Sequence, residues 1–133
     1  MKNNLYIISD VHGCIKTLKA LIKKLPSESK ICFVGDLIDR GLYSKEVVDF
    51  VMINNYDCVL GNHEAEFIKT LDSIVSNQNN YHEDSTWYKS LGGQKTLQSY
   101  NINSLEDLTE ENLTVIKKHL DFFKTLPLYK EYK

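Results

Sequence analysis

Residues 31–41 read I-C-F-V-G-D-L-I-D-R-G: four apolar residues, a glycine, and then Asp36, Asp39 and Arg40 within five positions. The apolar run predicts a buried strand, and Gly35 lets the backbone turn as the strand ends. Two carboxylates and a guanidinium leaving one strand edge are costly unless something sits there to be bound. Two other apolar runs end in the same style, at D-V-H-G (residues 10–13) and G-N-H-E (residues 61–64). A fold for this chain must therefore bring three polar strand ends to one place, as the walls of a metal and phosphate site.

The remaining pattern says how. Leu5–Ile8 is too short and too apolar for a helix and predicts a strand buried on both faces. Ile15, Leu18, Leu21, Ile22 and Leu25 recur at helical spacing before Pro26. Ser44 is placed to cap a second helix carrying Val47, Val48, Val51 and Met52, which Asn54 and Asn55 close. Residues 56–60 predict the third strand, and a helix with Ala65, Phe67, Ile68, Leu71, Ile74 and Val75 as its apolar stripe follows Gly61. Strands alternating with helices make an α/β fold with a mostly parallel sheet and right-handed crossovers. All three polar clusters then fall at the carboxyl ends of strands, where open α/β sheets place ligands.

Beyond these elements the chain changes character. Residues 76–85 predict a polar surface loop containing His82, a solvated side chain on this reading. Trp87, Tyr88 and Leu91 lead to Gly92-Gly93 and a short helix with Thr96, Leu97 and Tyr100. Thr109, Glu110 and Glu111 open a last helix with Leu113, Ile116, Leu120 and Phe123 inside and His119 on its polar side. Pro127 stops it, and Leu128-Tyr129 predicts the start of another strand.

A chain of 133 residues can bury a core and is expected to form one domain, residues 1–133. A formal charge of -2 and no basic stripe among the eight tyrosines argue against nucleic-acid or membrane partners. Cys14, Cys32 and Cys58 are unclustered and predict buried free thiols in a reducing compartment, hence a cytoplasmic protein. The N-terminus lacks the long apolar run of a signal peptide, and no segment approaches membrane-spanning length.

Asp10 and His12 stand two positions apart, so in extended backbone both point the same way and clasp one ion. Asp36 is placed to bridge to a second ion, and the neutral oxygen of Asn62 to hold it. Mixed oxygen and nitrogen ligands suit manganese, iron or zinc better than a thiolate site would. A metal pair about 3.5–4 Å apart clamps a phosphoryl group and supplies a hydroxide nucleophile. His63 is placed to protonate the leaving oxygen, Asp39 to orient its ring, and Arg40 to fork onto phosphate. Glu64 either supports this cluster or sits in the favourable first turn of its helix. Taken singly, each residue has a duller reading as a turn, a cap or a surface pair. Three separate strand ends doing so together do not.

These blocks, D-V-H-G, G-D-L-I-D-R-G and G-N-H-E, resemble the phosphoprotein phosphatase branch of the calcineurin-like metallophosphoesterases. The segment W-Y-K-S-L-G-G-Q-K-T-L (residues 87–97) is similar to one in bacterial and phage members, which are Ser/Thr phosphatases or dinucleoside polyphosphate hydrolases. The resemblance implies an α/β/β/α sandwich of which this chain is the N-terminal part. It implies Asp10 and His12 on the first metal, Asp36 bridging, Asn62 on the second, His63 as general acid assisted by Asp39, and Arg40 on substrate phosphate. The implied substrate is a phosphorylated protein or a nucleotide. Many members carry an arginine where this chain has Leu60, and complete members supply two further metal-binding histidines later in the chain.

On this resemblance the chain is incomplete, holding two ions, one or none, and the expected partner is a complementing C-terminal fragment or a further copy of itself. A non-catalytic binding or regulatory role is the alternative. A nucleotide-binding α/β domain without hydrolysis is a third reading, disfavoured by the lack of a Gly-rich phosphate loop.

Overall fold

A computed structural model describes residues 4–75, 86–104 and 107–133. In chain order it contains β1 (Leu5–Ile8), α1 (Ile15–Lys24), β2 (Lys30–Phe33), α2 (Ser44–Ile53), β3 (Asp57–Cys58) and α3 (Asn62–Val75). Three further helices follow: α4 (Thr86–Lys89), α5 (Gly93–Ser99) and α6 (Glu110–Lys124). The predicted loop at residues 76–85, with His82, lies outside the described residues.

The three strands form one sheet in the order β1-β2-β3, all parallel, with Ile8 opposite Phe33 and Phe33 opposite Cys58. Because a helix returns the chain between successive strands, every strand ends at the same edge. This α/β arrangement, a small parallel sheet flanked by helices, is the predicted class.

Side chains alternate along β1, and Leu5 and Ile7 remain 36% and 56% exposed. The expectation of a strand buried on both faces is therefore corrected. β1 is an edge strand, and only the side of Tyr6 and Ile8 turns to the helices. Leu21, 44% exposed, likewise falls off the buried face of α1.

Helix ends follow local chemistry. α1 stops at Leu25, which adopts extended backbone ahead of Pro26. α6 starts at Thr109, whose side chain accepts a hydrogen bond from the Asn112 amide, with Glu110 and Glu111 in the first turn and Lys124 in the last, as the helix dipole favours. Ser44 does not cap α2. Tyr43 holds that position, and the Ser44 hydroxyl is buried, accepting the Asp39 N–H at 3.0 Å.

Away from the sheet, α3, α4 and α6 close a second part of the core. Phe67 meets the Trp87 and Phe123 rings edge-on at centroid distances of 5.6 and 5.3 Å. Phe67, Leu71, Leu120 and Phe123 are buried, each contributing about 1.5–3 kcal/mol.

Leu128 and Tyr129 start no strand. They are 78% and 74% exposed, and the segment makes one backbone bond to the sheet edge, from Leu60 N–H to the Pro127 carbonyl at 2.8 Å. Its other anchors are side chains: Tyr132 donates to Asp57 at 2.6 Å, Lys130 pairs with Asp57 at 2.5 Å, and Lys30 lies over the Tyr132 ring. Among the described residues, no helix is long and apolar enough to cross a membrane.

Candidate metal and phosphate site

The strand ends converge through unusual backbone. Asp10 (φ 53), His12 (φ 44), Asp36 (φ 54), Asp39 (φ 75) and Arg40 (φ 68) all occupy the left-handed region. Aspartate tolerates that region better than most residues, yet each such position costs about 1–2 kcal/mol. Strain of this kind persists only where surrounding contacts over-determine it, and it gathers at functional sites. Here the contacts are backbone bonds between loops: His12 N–H to the Asp36 carbonyl at 3.0 Å and Gly13 N–H to the Leu37 carbonyl at 2.9 Å. The two loops form one body.

The third loop is brought in by glycines. A Cβ on Gly35 (φ +82) would stand 2.3 Å from the Gly61 Cα, and one on Gly61 would stand 2.4 Å from the Asp36 nitrogen. Only bare backbone allows this approach, which sets Asn62 and His63 against Asp36. The His63 N–H donates to Asp36 Oδ1 at 3.2 Å.

One ligating atom from each of His12, Asp36 and His63 lies within 4.8 Å of the others. Nδ1 of His12 is 2.7 Å from the Ile38 carbonyl. A ring N–H donating there leaves Nε2 with a lone pair for a cation. The outer atom of the Asn62 amide lies 3.1 Å from both Asp36 oxygens. With NH2 turned there it donates two hydrogen bonds; with its oxygen turned there, three oxygens face one another as they do around a cation. Imidazole nitrogen, carboxylate and amide oxygen are a donor set that fits manganese, iron or zinc. None of the three cysteines belongs to this group, and burial, chiefly, pushes the Cys58 thiol up to about 12.

Asp10 stands outside this three-residue group. Its left-handed backbone departs from the extended geometry expected for the pair with His12, and its exposed carboxylate accepts the Ser9 hydroxyl. Arg40 is exposed, with its backbone N–H on the Gly92 carbonyl at 3.3 Å. Cys14 is exposed rather than buried, because it precedes the first turn of α1 instead of facing the core.

His63 and Asp39 form a buried pair, Nδ1 to Oδ2 at 2.7 Å. Asp39 is fully buried and also accepts the Trp87 indole N–H at 2.9 and 3.1 Å and the Thr96 hydroxyl at 2.6 Å. Burial pushes the Asp39 carboxyl up, while the Thr96, His63 and Trp87 donors pull it down, and the balance stays above the ordinary value. Glu64 is also fully buried, its Oε1 accepting the Asp36 N–H at 2.6 Å. Burial first, then the Asp36 carboxylate, pushes Glu64 up to about 8. Its role is thus to hold the backbone of Asp36 from the first turn of α3.

His119 lies elsewhere, and its predicted solvent exposure is corrected. It is fully buried, with Nε2 on Asp49 at 2.7 Å and Nδ1 on the Tyr100 hydroxyl at 2.5 Å. It neighbours Lys117 and Lys118 in the chain, but Asp49 of α2 and Tyr100, just after α5, meet its two ring nitrogens. Sequence reasoning also missed Trp87, Thr96 and Ser44 around Asp39, reading them as apolar, helical and capping positions. The available signal was the W-x4-GG-x2-T spacing in the segment singled out above.

Comparison with known proteins shows the family and the fold. The symmetrical bis(5'-nucleosyl)-tetraphosphatase of Actinobacillus pleuropneumoniae serotype 5b (strain L20) is 38% identical over 71 residues, which are 50% of this chain and 26% of that protein. That of Buchnera aphidicola subsp. Baizongia pistaciae (strain Bp) is 37% identical over 78 residues, 55% of this chain and 28% of that protein. The chain thus spans little more than a quarter of the length of the curated relatives it matches. The crystal structure of a metallophosphoesterase from Sphaerobacter thermophilus superposes with a TM-score of 0.58 at 23% identity, over 92% of this chain and 40% of that one, a likeness of fold. The calcineurin-like phosphoesterase family profile matches residues 4–132. With its strand-end cluster and its parallel sheet, the chain belongs to the calcineurin-like phosphoesterases.

Proposed function

We propose that the chain carries the metal and proton-donor portion of a phosphoester hydrolase acting on a phosphorylated nucleotide of the dinucleoside tetraphosphate type. The carrying observation is the juxtaposition of His12, Asp36 and His63 within 4.8 Å, with the His63 ring held from behind by Asp39. Asp10 and His12 would hold one divalent ion, and Asp36 and Asn62 a second, manganese being the first candidate. Such ions supply Lewis-acid polarisation of phosphoryl oxygen and lower the pKa of attacking water.

The chain's own residues do the rest. Arg40 presents its guanidinium to the non-reacting phosphate oxygens. As the water oxygen bonds to phosphorus and the leaving P–O bond breaks, the leaving oxygen takes a proton from His63 Nε2, and the proton that the water gives up restores the imidazolium. Asp39, bonded to Nδ1–H, orients the ring and stabilises the imidazolium before that transfer. A phosphoprotein is the alternative substrate, since the same chemistry serves a phosphoserine ester.

We propose that residues 1–133 form one domain in the cytoplasm, where three free thiols stay reduced. The span of 26% of a full relative favours weak turnover by the chain alone, with a complementing polypeptide or second copy raising it. A binding or regulatory role without turnover rests on the same observation.

The test is manganese uptake by the purified chain, followed by electron paramagnetic resonance, beside hydrolysis of diadenosine tetraphosphate. The expected result is bound manganese that Asp36→Asn abolishes, and turnover that His63→Ala abolishes while manganese stays bound. A folded chain that takes up no manganese at millimolar concentration overturns the proposal.

A further inference from the structure

Resting on the proton-donor reading of His63, the structure assigns Trp87 and Thr96, in our inference, as the positioning residues of the Asp39–His63 pair. They set the carboxylate from a part of the chain that contributes nothing to the metal cluster.

The geometry leaves Asp39 little freedom. Oδ2 takes the His63 ring at 2.7 Å and the Trp87 indole N–H at 2.9 Å, while Oδ1 takes the Thr96 hydroxyl at 2.6 Å. The Thr96 oxygen in turn accepts the Asp39 N–H at 2.9 Å, and the Ser44 hydroxyl shares that N–H at 3.0 Å. One threonine hydroxyl therefore grips both the backbone and the side chain of a residue held at φ 75. A carboxylate buried as completely as that of Asp39 can be turned only by its donors, so the plane in which it meets His63 is set by Trp87 and Thr96.

The same two short helices are built onto this spot. A Cβ on Gly92 (φ +89) would stand 2.6 Å from the Arg40 nitrogen, and one on Gly93 would stand 2.4 Å from the Trp87 ring. The double glycine lets the α4–α5 turn sit directly on the Asp39–Arg40 backbone and lets the indole reach beneath it. Packing alone would ask for neither the indole nitrogen nor the threonine hydroxyl. A phenylalanine and a valine would fill the same space.

The experiment uses Trp87→Phe, Thr96→Val and Thr96→Ser in the full chain. Its first readout is the hydrogen-bonded ring N–H proton of His63, identified in the NMR spectrum as the signal absent from His63→Gln. Trp87→Phe and Thr96→Val are expected to shift this signal upfield and speed its solvent exchange at least tenfold, while Thr96→Ser restores it. The second readout is kcat with manganese on a nitrophenyl phosphate and on an alkyl phosphate. A misplaced proton donor is expected to slow the alkyl ester, whose leaving oxygen needs the proton, about tenfold or more, with the nitrophenyl ester and both KM values little changed. An unchanged ring proton in both variants, or equal slowing of the two esters, overturns the assignment. If the wild-type chain binds no manganese and turns nothing over, the hydrolase reading fails, and the ring proton still decides the role of Trp87 and Thr96.

Discussion

Nδ1 of His63 lies 2.7 Å from Oδ2 of Asp39, and both side chains are buried, yet Asp39 comes from the loop after β2 and His63 from the first turn of α3. The pairing exists because β2 and β3 finish side by side and Gly35 lets the two loops touch. It fixes which nitrogen of His63 faces the cluster.

Asp39→Asn keeps the shape of this pair and changes its chemistry. An amide group donates to Nδ1 as readily as it accepts, so the ring loses both its tautomer preference and its support as an imidazolium. The expected loss is about 10²- to 10⁴-fold in kcat, with little change in manganese affinity. Steady-state kinetics beside a metal titration checks it.

Gly35→Ala tests the loop crossing itself. The added methyl meets Gly61 at 2.3 Å, and φ +82 is unfavourable for alanine. A destabilisation of about 2–4 kcal/mol is expected, read from the urea midpoint, together with loss of manganese binding as Asp36 and Asn62 part.

Manganese is expected to stabilise the folded chain by about 2.7 kcal/mol at a hundredfold excess over its dissociation constant. Chelation reverses the effect, His12→Ala weakens it and Asp36→Asn removes it. Thermal unfolding with and without metal measures it, whether or not the chain turns over a substrate.

Acid stability reports a different place. His119 donates Nε2–H to Asp49 and accepts the Tyr100 hydroxyl at Nδ1, which satisfies a neutral ring. Burial holds its pKa below the ordinary 6.5, outweighing the pull of Asp49. Burial nudges Asp49 upward, but hydrogen bonds and charge from His119 and Lys45 leave it below its ordinary 3.8. Both shifts have one sign: the unfolded chain binds the extra protons. Stability is therefore complete above about pH 6.5 and falls as pH drops below it, first through His119 and later through Asp49. In His119→Gln the upper limb of this loss disappears, at a cost near neutrality of about 1–3 kcal/mol. Urea unfolding across pH 2 to 8 separates the two limbs.

The convergence of His12, Asp36 and His63 was legible in residue type and spacing, because a strand that ends in charge announces its edge, whereas Asp10, expected beside His12, stands outside their group. Alternating strands and helices likewise determined a parallel sheet, since a helix between strands leaves few other ways home. Periodicity could not show that β1 has one open face, that His119 is buried between Asp49 and Tyr100, or that Trp87 and Thr96 close around Asp39. Such facts depend on which elements lie against which, and contacts between residues far apart in the chain leave no local pattern. The unpaired end of the chain makes the same point. An apolar pair after Pro127 reads as a strand, but a strand forms only where a neighbour offers its backbone, and Pro127 meets the sheet through a single bond from Leu60.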